Sequence, residues 1–291
     1  PLFRSRGYSM IEHRFLYFPE SHLHSTPAVL QMRFEEVYFD AADGVPLHGW
    51  YIPGRRGMPV VLFCHGNAGN IADRVRMLGF LKNLGVSTFI FDYRGYGQSQ
   101  GKANEEGTYN DARGALACLK KRGWDPAQTI YLGRSMGAAV ATQMAVEQAP
   151  ARLVLECPFT SIAEMGRLHY PLLYRFACRL IAARYDNVAK IGKITSPLLL
   201  SHGTDDNVVP VSMGMELFDR ARSPKQLLLV EGGGHSDAYI LKNRPYFIAW
   251  LKFVNLDDTE LPENHVQTIP LTASAPDTMP DRGPCLATQD G

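Results

Sequence analysis

The chain has 291 residues, of which 45% are hydrophobic, enough for a substantial core in one large or two small domains. Its formal net charge is +1, and its Lys and Arg residues form no cluster, which argues against nucleic acid as a partner. The five cysteines are scattered and never occur in C-x-x-C spacing, so neither a disulfide framework nor a zinc site is expected. The sequence contains no internal repeat, which excludes a solenoid.

Residues 1–30 are predicted to form an irregular N-terminal arm. The arm contains an aromatic run without periodicity, and we expect Phe15, Tyr17 and Phe18 to pack against the body of the protein. No segment of the sequence has the ~20 uninterrupted apolar residues that a membrane span requires. The sequence starts at Pro1 rather than at a methionine. The protein is expected to be cytoplasmic, or membrane-associated if a hydrophobic segment precedes Pro1.

Residues 31–254 are predicted to form one α/β domain. It opens with a hairpin, because 33–40 alternates with period two, 42–45 has turn composition and 47–52 can pair back. Residues 59–64 form a continuous apolar run, which is typical of a strand that helices cover on both faces. Strand-like and helix-like segments then alternate, so we expect a mostly parallel sheet with an antiparallel hairpin at its edge. The segments are helix 71–84, strand 86–92, helix 104–122, strand 129–132 with the helix after it, strand 152–156, strand 197–200, helix 213–222, strand 226–230 and helix 245–254.

The alternation is interrupted between residues 158 and 193, which we interpret as a small helical cap. The pattern predicts a long helix over 168–185, and an insertion at this point would lie over the carboxyl ends of the strands, where ligands bind. Its apolar residues would offer a lining for an acyl chain rather than for a charged substrate. These are Leu168, Leu172, Leu173 and Phe176. The alternative is a packed helix pair that makes no substrate contact.

Residues 255–291 differ in composition from the preceding domain. They are rich in Pro, Thr, Asp and Ser, with seven acidic residues and one basic residue, a net charge of −6. Few of them are large and apolar, so this acidic, Pro-rich tail is predicted to be disordered.

The segment 133–137, GRSMG, follows an apolar strand and precedes a helical segment. A serine at the apex of such a turn projects its hydroxyl from the sheet edge, and the flanking glycines are expected to supply the space and the unusual backbone angles that the turn needs. Ser135 is therefore the candidate nucleophile. G-x-S-x-G also arises by chance in glycine-rich loops, so the interpretation depends on a base, an acid and an oxyanion site elsewhere in the chain.

A serine nucleophile requires a base, and His235 is the best candidate among the nine histidines because it follows a late strand in a glycine-rich loop. A carboxylate should then orient the imidazole. Asp205 and Asp206 both follow the strand at 197–201; we favour Asp206, because the run D-x-x-V-P places it just before the next helix. Glu156, at another strand end, is the third choice.

The oxyanion of a tetrahedral intermediate requires backbone N–H donors. The expected donors are the amide of Met136, directly after the nucleophile, and the amide of Asn67, in the loop after the 59–64 strand. His65 and His202 are interpreted as structural histidines. The loop 92–99 is predicted to tie neighbouring loops together, and no elbow surrounds its serine.

Taken together, these motifs resemble the α/β-hydrolase superfamily across residues 30–254. The motifs that occur in the order of that family are H-G-N at 65–67, D-Y-R-G-Y-G at 92–97, G-x-S-x-G at 133–137, H-G-x-x-D at 202–206 and G-H at 234–235. The chain is most similar to the small-capped serine hydrolases of the abhydrolase-domain type, which are esterase-like. The resemblance implies an α/β-hydrolase fold and a triad of Ser135, Asp206 and His235.

The expected activity is hydrolysis of a small-molecule carboxylic ester through an acyl-enzyme, without a metal or an organic cofactor. Thioesters, lysophospholipids and peptide-like amides are alternative substrates, because the same triad serves them all. A non-catalytic binding module on the same fold is the alternative from a different class. The sequence makes no prediction of the oligomeric state.

Overall fold

A nine-stranded sheet forms the centre of the protein in the computed structural model, which describes residues 16–177, 181–235, 244–255 and 265–270. In chain order the strands are β1 (Phe18–Pro19), β2 (Glu35–Asp40), β3 (Pro46–Ile52), β4 (Val60–Cys64), β5 (Ala68–Gly69), β6 (Ser87–Phe91), β7 (Thr129–Arg134), β8 (Arg152–Glu156), β9 (Leu198–Gly203), β10 (Lys225–Glu231) and β11 (His265–Pro270). β1 and β5 form a separate two-stranded sheet, and the other nine strands form the central sheet. The helices are α1 (Val75–Leu84), α2 (Glu105–Lys121), α3 (Met136–Glu147), α4 (Ile162–His169), α5 (Pro171–Ala177), α6 (Val188–Ile191), α7 (Val211–Arg220) and α8 (Arg244–Val254). Short 3-10 turns occur at Pro27–Leu30, Ile71–Arg74 and Pro126–Gln128.

The strand order across the sheet is β11-β10-β9-β8-β7-β4-β6-β3-β2. β2 and β3 pair antiparallel, as do β3 and β6, and all other neighbours in the sheet are parallel. This arrangement confirms the predicted mostly parallel sheet with an antiparallel N-terminal hairpin. The loops that follow β4, β7, β9 and β10 therefore meet at one edge of the sheet.

The sheet separates two hydrophobic cores, and β4 contributes to both. Val60, Leu62 and Cys64 pack with α2 and α3, whereas Val61 and Phe63 pack with α1 and α8. Successive side chains of a strand point to opposite faces, so a strand that is covered on both sides must be apolar throughout. This explains the continuous apolar run in the sequence. None of the helices in the described residues combines the length and the apolar character that crossing a bilayer requires.

The cap region differs from its prediction. Instead of a helix over 168–185, α4 ends at His169, and α5 begins at Pro171. Proline has no N–H to continue the helical hydrogen bonds, and it disfavours helical backbone at the residue before it, here Tyr170 with φ −137° and ψ 54°. Residues 181–186 are not helical, and 178–180 lie outside the described residues.

The predicted disorder of the tail 255–291 is wrong for residues 265–270. They form β11, which pairs in parallel with β10 from Gln226 to Glu231. Ile269 is fully buried, whereas Val266 is half exposed, so the strand presents one face to the core. Residues 256–264 and 271–291 lie outside the described residues.

The N-terminal arm contacts the body through Tyr17, which is buried and whose hydroxyl lies 3.1 Å from that of Tyr185. Phe18 is half exposed and begins β1, which pairs with β5. The predicted contact of Phe15 lies outside the described residues.

Candidate functional site

Ser135 lies at a sharp turn between β7 and α3, as the G-x-S-x-G pattern predicts. Its backbone has φ 52° and ψ −117°, a conformation that residues other than glycine rarely adopt. A Cβ on Gly137 would lie 1.9 Å from the carbonyl oxygen of Cys64, and a Cβ on Gly133 would lie 2.3 Å from that of Gly137. The two glycines are therefore required because helix, turn and strand approach one another too closely for a side chain. The expectation that they also supply unusual backbone angles is wrong, because the positive φ of the turn lies at Ser135 and at neither glycine.

Ser135, His235 and Asp206 lie in hydrogen-bond contact in that order. Ser135 Oγ is 3.1 Å from His235 Nε2, and His235 Nδ1 is 2.7 Å from Asp206 Oδ2. A carboxylate only accepts, so Nδ1 carries the proton and Nε2 is left to accept from the serine hydroxyl. The two alternative acids have other partners: the exposed Asp205 accepts from the Thr204 hydroxyl, and Glu156 accepts from the Tyr246 hydroxyl at 2.6 Å.

Asp206 is buried and held by hydrogen bonds on both carboxylate oxygens. Oδ1 accepts from the amides of Val208 and Val209 at 2.9 and 2.8 Å, and Oδ2 lies 3.3 Å from His202 Nε2 in addition to its contact with His235. Burial by itself would raise the pKa of Asp206, but the hydrogen bonds from His202, His235 and Val209 outweigh it and hold the pKa well below its usual range. The group is therefore a carboxylate at neutral pH.

The contact between His202 and Asp206 was not predicted from the sequence, although the structural role of His202 was. His202 Nε2 lies 2.8 Å from the carbonyl oxygen of Val209, so this nitrogen donates. A Cβ on Gly214 would lie 2.4 Å from the other ring nitrogen, so the ring fits against α7 only because that residue is glycine. The imidazole thus helps to fix the orientation of the Asp206 carboxylate.

Asn67 and Met136, the predicted oxyanion donors, both line the cavity that contains Ser135 and His235. The Asn67 side chain is fixed, because its Nδ2 donates to the carbonyl of Leu16 at 2.6 Å and its Oδ1 accepts from the Tyr96 hydroxyl at 2.8 Å. Met136 is the first residue of α3, where the backbone N–H groups have no partner within the helix.

The cavity has a volume of about 520 Å³ and a largely apolar wall. Besides Ala68 and Met136, its apolar and aromatic residues are Leu16, Phe18, Phe159, Ile162, Met165, Tyr170, Tyr174, Ile181 and Val208. Ile162, Met165 and His169 recur at the spacing of one face of α4, a periodicity that could have identified this wall from the sequence.

The predicted acyl-chain lining is wrong for three of its four residues. Leu168, Leu172 and Phe176 are 47%, 76% and 81% exposed and are not among the cavity residues. The break at Pro171 ends the helix on which the prediction relied, and these side chains point to solvent. The side chain of Leu173 lies outside the described part of the chain.

Two cavity residues that the sequence did not identify carry positive charge. Arg74 and Arg134 both line the wall beside Ser135. Arg134 Nη2 donates to the carbonyl of His235 at 2.7 Å and so links the serine turn to the histidine loop. Arg74 belongs to none of the motifs that predicted the site. Arg134 lies within the G-x-S-x-G motif, directly before the nucleophile, but that pattern places no requirement on its side chain.

His65 and Asp92 form a buried pair behind the serine. His65 Nδ1 lies 2.7 Å from the carbonyl oxygen of Gly66, its Nε2 lies 3.6 Å from Asp92 Oδ1, and Asp92 Oδ1 accepts from the Ile71 amide. Burial lowers the pKa of His65 to about 3, so this histidine is neutral and structural, as predicted. Burial also raises the pKa of Asp92 to about 7.

The loop at 92–99 forms hydrogen bonds to neighbouring segments of the chain, as predicted. The Arg94 guanidinium donates to Asp111 at 2.8 Å and to both carboxylate oxygens of Asp43 at 2.7 and 2.9 Å. The hydroxyl of the buried Ser99 donates to the carbonyl of Asp92 and accepts from the amide of His48. Ser99 is therefore not a competing nucleophile.

Replacing Asp92 with asparagine is expected to change how stability depends on pH. The folded pKa of Asp92, about 7, exceeds the unfolded value of about 3.9. The stabilisation that the protonated Asp92 gives to the folded state is therefore complete below pH 4 and is lost as the pH rises through 7. The unfolding free energy of the wild type should therefore fall relative to that of Asp92→Asn, by at most about 1.4 kcal/mol per pH unit over this range. Urea unfolding of both proteins between pH 4 and 8 measures the difference. If the unfolding free energies of the two proteins changed equally with pH, the prediction would be contradicted.

Cys157, Asp206 and His235 are a group in the described residues whose potential metal-ligating atoms lie within 4.8 Å of one another. Asp206 and His235 already bond to each other, and burial raises the pKa of the Cys157 thiol, which keeps it protonated. A protonated thiol is a poor ligand, so we assign no metal to this group.

Comparison with known proteins identifies relatives over most of the chain. A family model described as serine aminopeptidase, S33, matches residues 57–189. The protein Rv2307c of Mycobacterium tuberculosis is 38% identical over 246 residues, which cover 84% of this chain and 87% of the relative. Human alpha/beta hydrolase domain-containing protein 17B is 36% identical over 179 residues, which cover 61% of this chain and 60% of the relative.

Among solved structures, the Pyrococcus furiosus esterase Pf2001 superposes with a TM-score of 0.67 at 22% identity, covering 81% of this chain and 98% of that chain. At this identity the similarity demonstrates the fold alone. The sheet order, the serine turn and the relatives agree with one another, and they show that the chain belongs to the α/β-hydrolase superfamily.

Proposed function

We propose that the protein is a serine hydrolase that cleaves carboxylic esters of small molecules through an acyl-enzyme intermediate. The observation that carries the proposal is the continuous contact from Ser135 Oγ to His235 Nε2 at 3.1 Å and from His235 Nδ1 to Asp206 at 2.7 Å. A base at hydrogen-bond distance from a serine, itself oriented by a carboxylate, is the arrangement that activates a hydroxyl near neutral pH.

In the proposed reaction, Ser135 Oγ attacks the ester carbonyl carbon while His235 accepts the hydroxyl proton. The amides of Asn67 and Met136 stabilise the oxyanion of the tetrahedral intermediate. When the intermediate collapses, the bond to the alcohol oxygen breaks and His235 returns the proton to that oxygen. Water then attacks the acyl-enzyme by the same route and frees Ser135. These steps use groups of the protein and water only.

Hydrolysis of amides is the second candidate function. It is supported by the matching family model, whose description names a serine aminopeptidase. The same residues would act on thioesters or lysophospholipids, and the apolar cavity wall is compatible with an acyl chain in either. A non-catalytic binding module is disfavoured, because Ser135, His235 and Asp206 are all present and in contact.

The proposal is tested with a fluorophosphonate probe, which reacts with activated serines. We expect the folded protein to be labelled at Ser135, as mapped by peptide mass spectrometry, and the heat-denatured protein to remain unlabelled. If the folded protein did not react with the probe, the alternative of a non-catalytic binding module would be supported. Specificity constants for an ester, a thioester and an amide of one acyl group would then rank the substrate classes, and faster cleavage of the amide would favour the peptidase alternative.

A further inference from the structure

The cavity beside Ser135 has an uneven distribution of charge. Its described wall contains two arginines, Arg74 and Arg134, and neither an aspartate nor a glutamate. A cavity of this size is in the range of small-molecule sites, in which a few polar groups on an apolar wall determine which ligand is bound. The cations are therefore the groups most able to select a substrate.

Arg74 is fixed in place but forms no ion pair with a carboxylate of the described residues. It ends the 3-10 turn before α1, and its Nη2 donates to the carbonyl of Ala68. Its Nε is buried without a hydrogen-bond partner, and no carboxylate oxygen of the described residues forms an ion pair with it within 4.0 Å. Arg74 is half-buried, and a buried N–H without a partner carries a free-energy cost that a bound anion would relieve.

The acidic residues nearest to Arg74 in the chain or the fold have other partners. Asp73 accepts from the amide of Asn70 at 2.9 Å, in the capping box that begins the turn. Asp92 accepts from the amide of Ile71 and faces His65, and its raised pKa of about 7 leaves it partly protonated at neutral pH. Neither carboxylate lines the cavity.

Arg134 adds a second positive charge to the same wall. Its guanidinium donates to the carbonyl of His235, and its Nη1 lies 4.0 Å from Glu156 Oε2. Arg74 and Arg134 line the same cavity. Burial and the charge of Arg134 lower the pKa of Arg74, and they outweigh the charges of Asp73 and Asp92, which raise it. An anion bound between the apolar wall and Arg74 would offset this effect of Arg134.

We propose that Arg74 is a specificity-determining residue that binds an anionic oxyacid group, a carboxylate or a phosphate, of the ester substrate. Arg134 strengthens the positive field, and the hydrocarbon part of the substrate lies against the wall formed by Ile162, Met165 and Tyr174. The inference rests on the proposed ester hydrolysis and narrows its substrate class to anionic amphiphiles. It replaces the expectation from the sequence that the lining favours an acyl chain over a charged substrate.

The test uses two 4-nitrophenyl esters with the same acyl chain, the anionic 4-nitrophenyl hydrogen adipate and its neutral methyl ester. We expect the wild-type protein to cleave the anionic ester with a kcat/KM at least about tenfold higher, because a guanidinium and a carboxylate form strong charge-assisted hydrogen bonds. The preference should shrink as ionic strength rises. Competition by hexanoate and by hexyl phosphate distinguishes the carboxylate from the phosphate, with hexanol as the neutral control.

Variants of Arg74 connect the preference to one residue. Arg74→Gln should lower kcat/KM for the anionic ester at least about tenfold and change that for the neutral ester by less than about threefold. Arg74→Lys, which keeps the charge, should retain part of the preference. Arg76→Gln is the matched control, because Arg76 is exposed two residues away and does not line the cavity.

Equal cleavage of the two esters by the wild type would overturn the inference without any variant. An equal loss on both esters in Arg74→Gln would also overturn it, because a structural role through the Ala68 carbonyl predicts that result. Failure of the proposed function gives a different outcome: neither ester is cleaved, and the fluorophosphonate probe does not react.

Discussion

Replacing Ser135 with alanine is expected to lower kcat for ester hydrolysis by about 10,000-fold or more. The substitution removes the only atom that attacks the carbonyl in the proposed mechanism, while His235 and Asp206 keep their contact. Alanine tolerates the φ of 52° about as well as serine does, so the fold should be retained. Initial rates with a short-chain 4-nitrophenyl ester and the circular dichroism of the variant measure the two effects.

The matched control is Ser212→Ala, because Ser212 is an exposed serine in α7. It should keep the wild-type rate. If folded Ser135→Ala also kept the wild-type rate, Ser135 would not be the nucleophile and the acyl-enzyme mechanism would be wrong.

Replacing Asp206 with asparagine is expected to lower kcat by about 1,000-fold to 10,000-fold. The asparagine oxygen can still accept from the amides of Val208 and Val209, so the loop should keep its shape. The amide NH2 then faces His235 Nδ1 and favours the tautomer with the proton on Nε2. In that tautomer His235 cannot accept the proton of Ser135.

Asp205→Asn provides the control for this prediction, since Asp205 is the adjacent, exposed aspartate with a contact to Thr204. It should change kcat by less than about twofold, as expected for a surface substitution that touches no substrate. A larger loss in Asp205→Asn than in Asp206→Asn would reverse the assignment of the acid.

The sequence predicted most of the fold and the polar part of the site because both depend on local patterns. Gly133 and Gly137 are required by close contacts within a few residues of Ser135, so the turn is visible in the motif itself. Parallel strands end at the same sheet edge, so polar residues after β9 and β10 could be expected to meet Ser135. The choice of Asp206 over Asp205 followed from its distance to the next helix.

The cavity wall could not be predicted in the same way, because it depends on how separate elements are oriented. Pro171 divides the cap into two short helices, and the angle between them determines which side chains turn inward. Leu168 and Leu172 have the composition of a lining but point to solvent. Arg74 lines the cavity from the turn before α1, about 60 residues before Ser135 in the chain, and no local motif predicts that placement.

The strand β11 was missed because its stability comes from its partner. The segment HVQTIP has few large apolar residues and follows an acidic stretch, so its composition resembles that of a disordered tail. Its backbone hydrogen-bonds to β10, and Ile269 fills the core. Tertiary context of this kind commonly overrides intrinsic strand propensity.

The position of β11 also affects how the protein behaves when its tail is removed. Without residues 265–270, β10 would become the outermost strand and expose a row of unpaired N–H and C=O groups over six residues. The sequence of β10 is KQLLLVE, with charges only at its two ends. A long apolar strand at the exposed edge of a sheet can pair with the same strand of another molecule. Shortened forms that end before His265 should therefore self-associate even though Ser135, Asp206 and His235 are all retained.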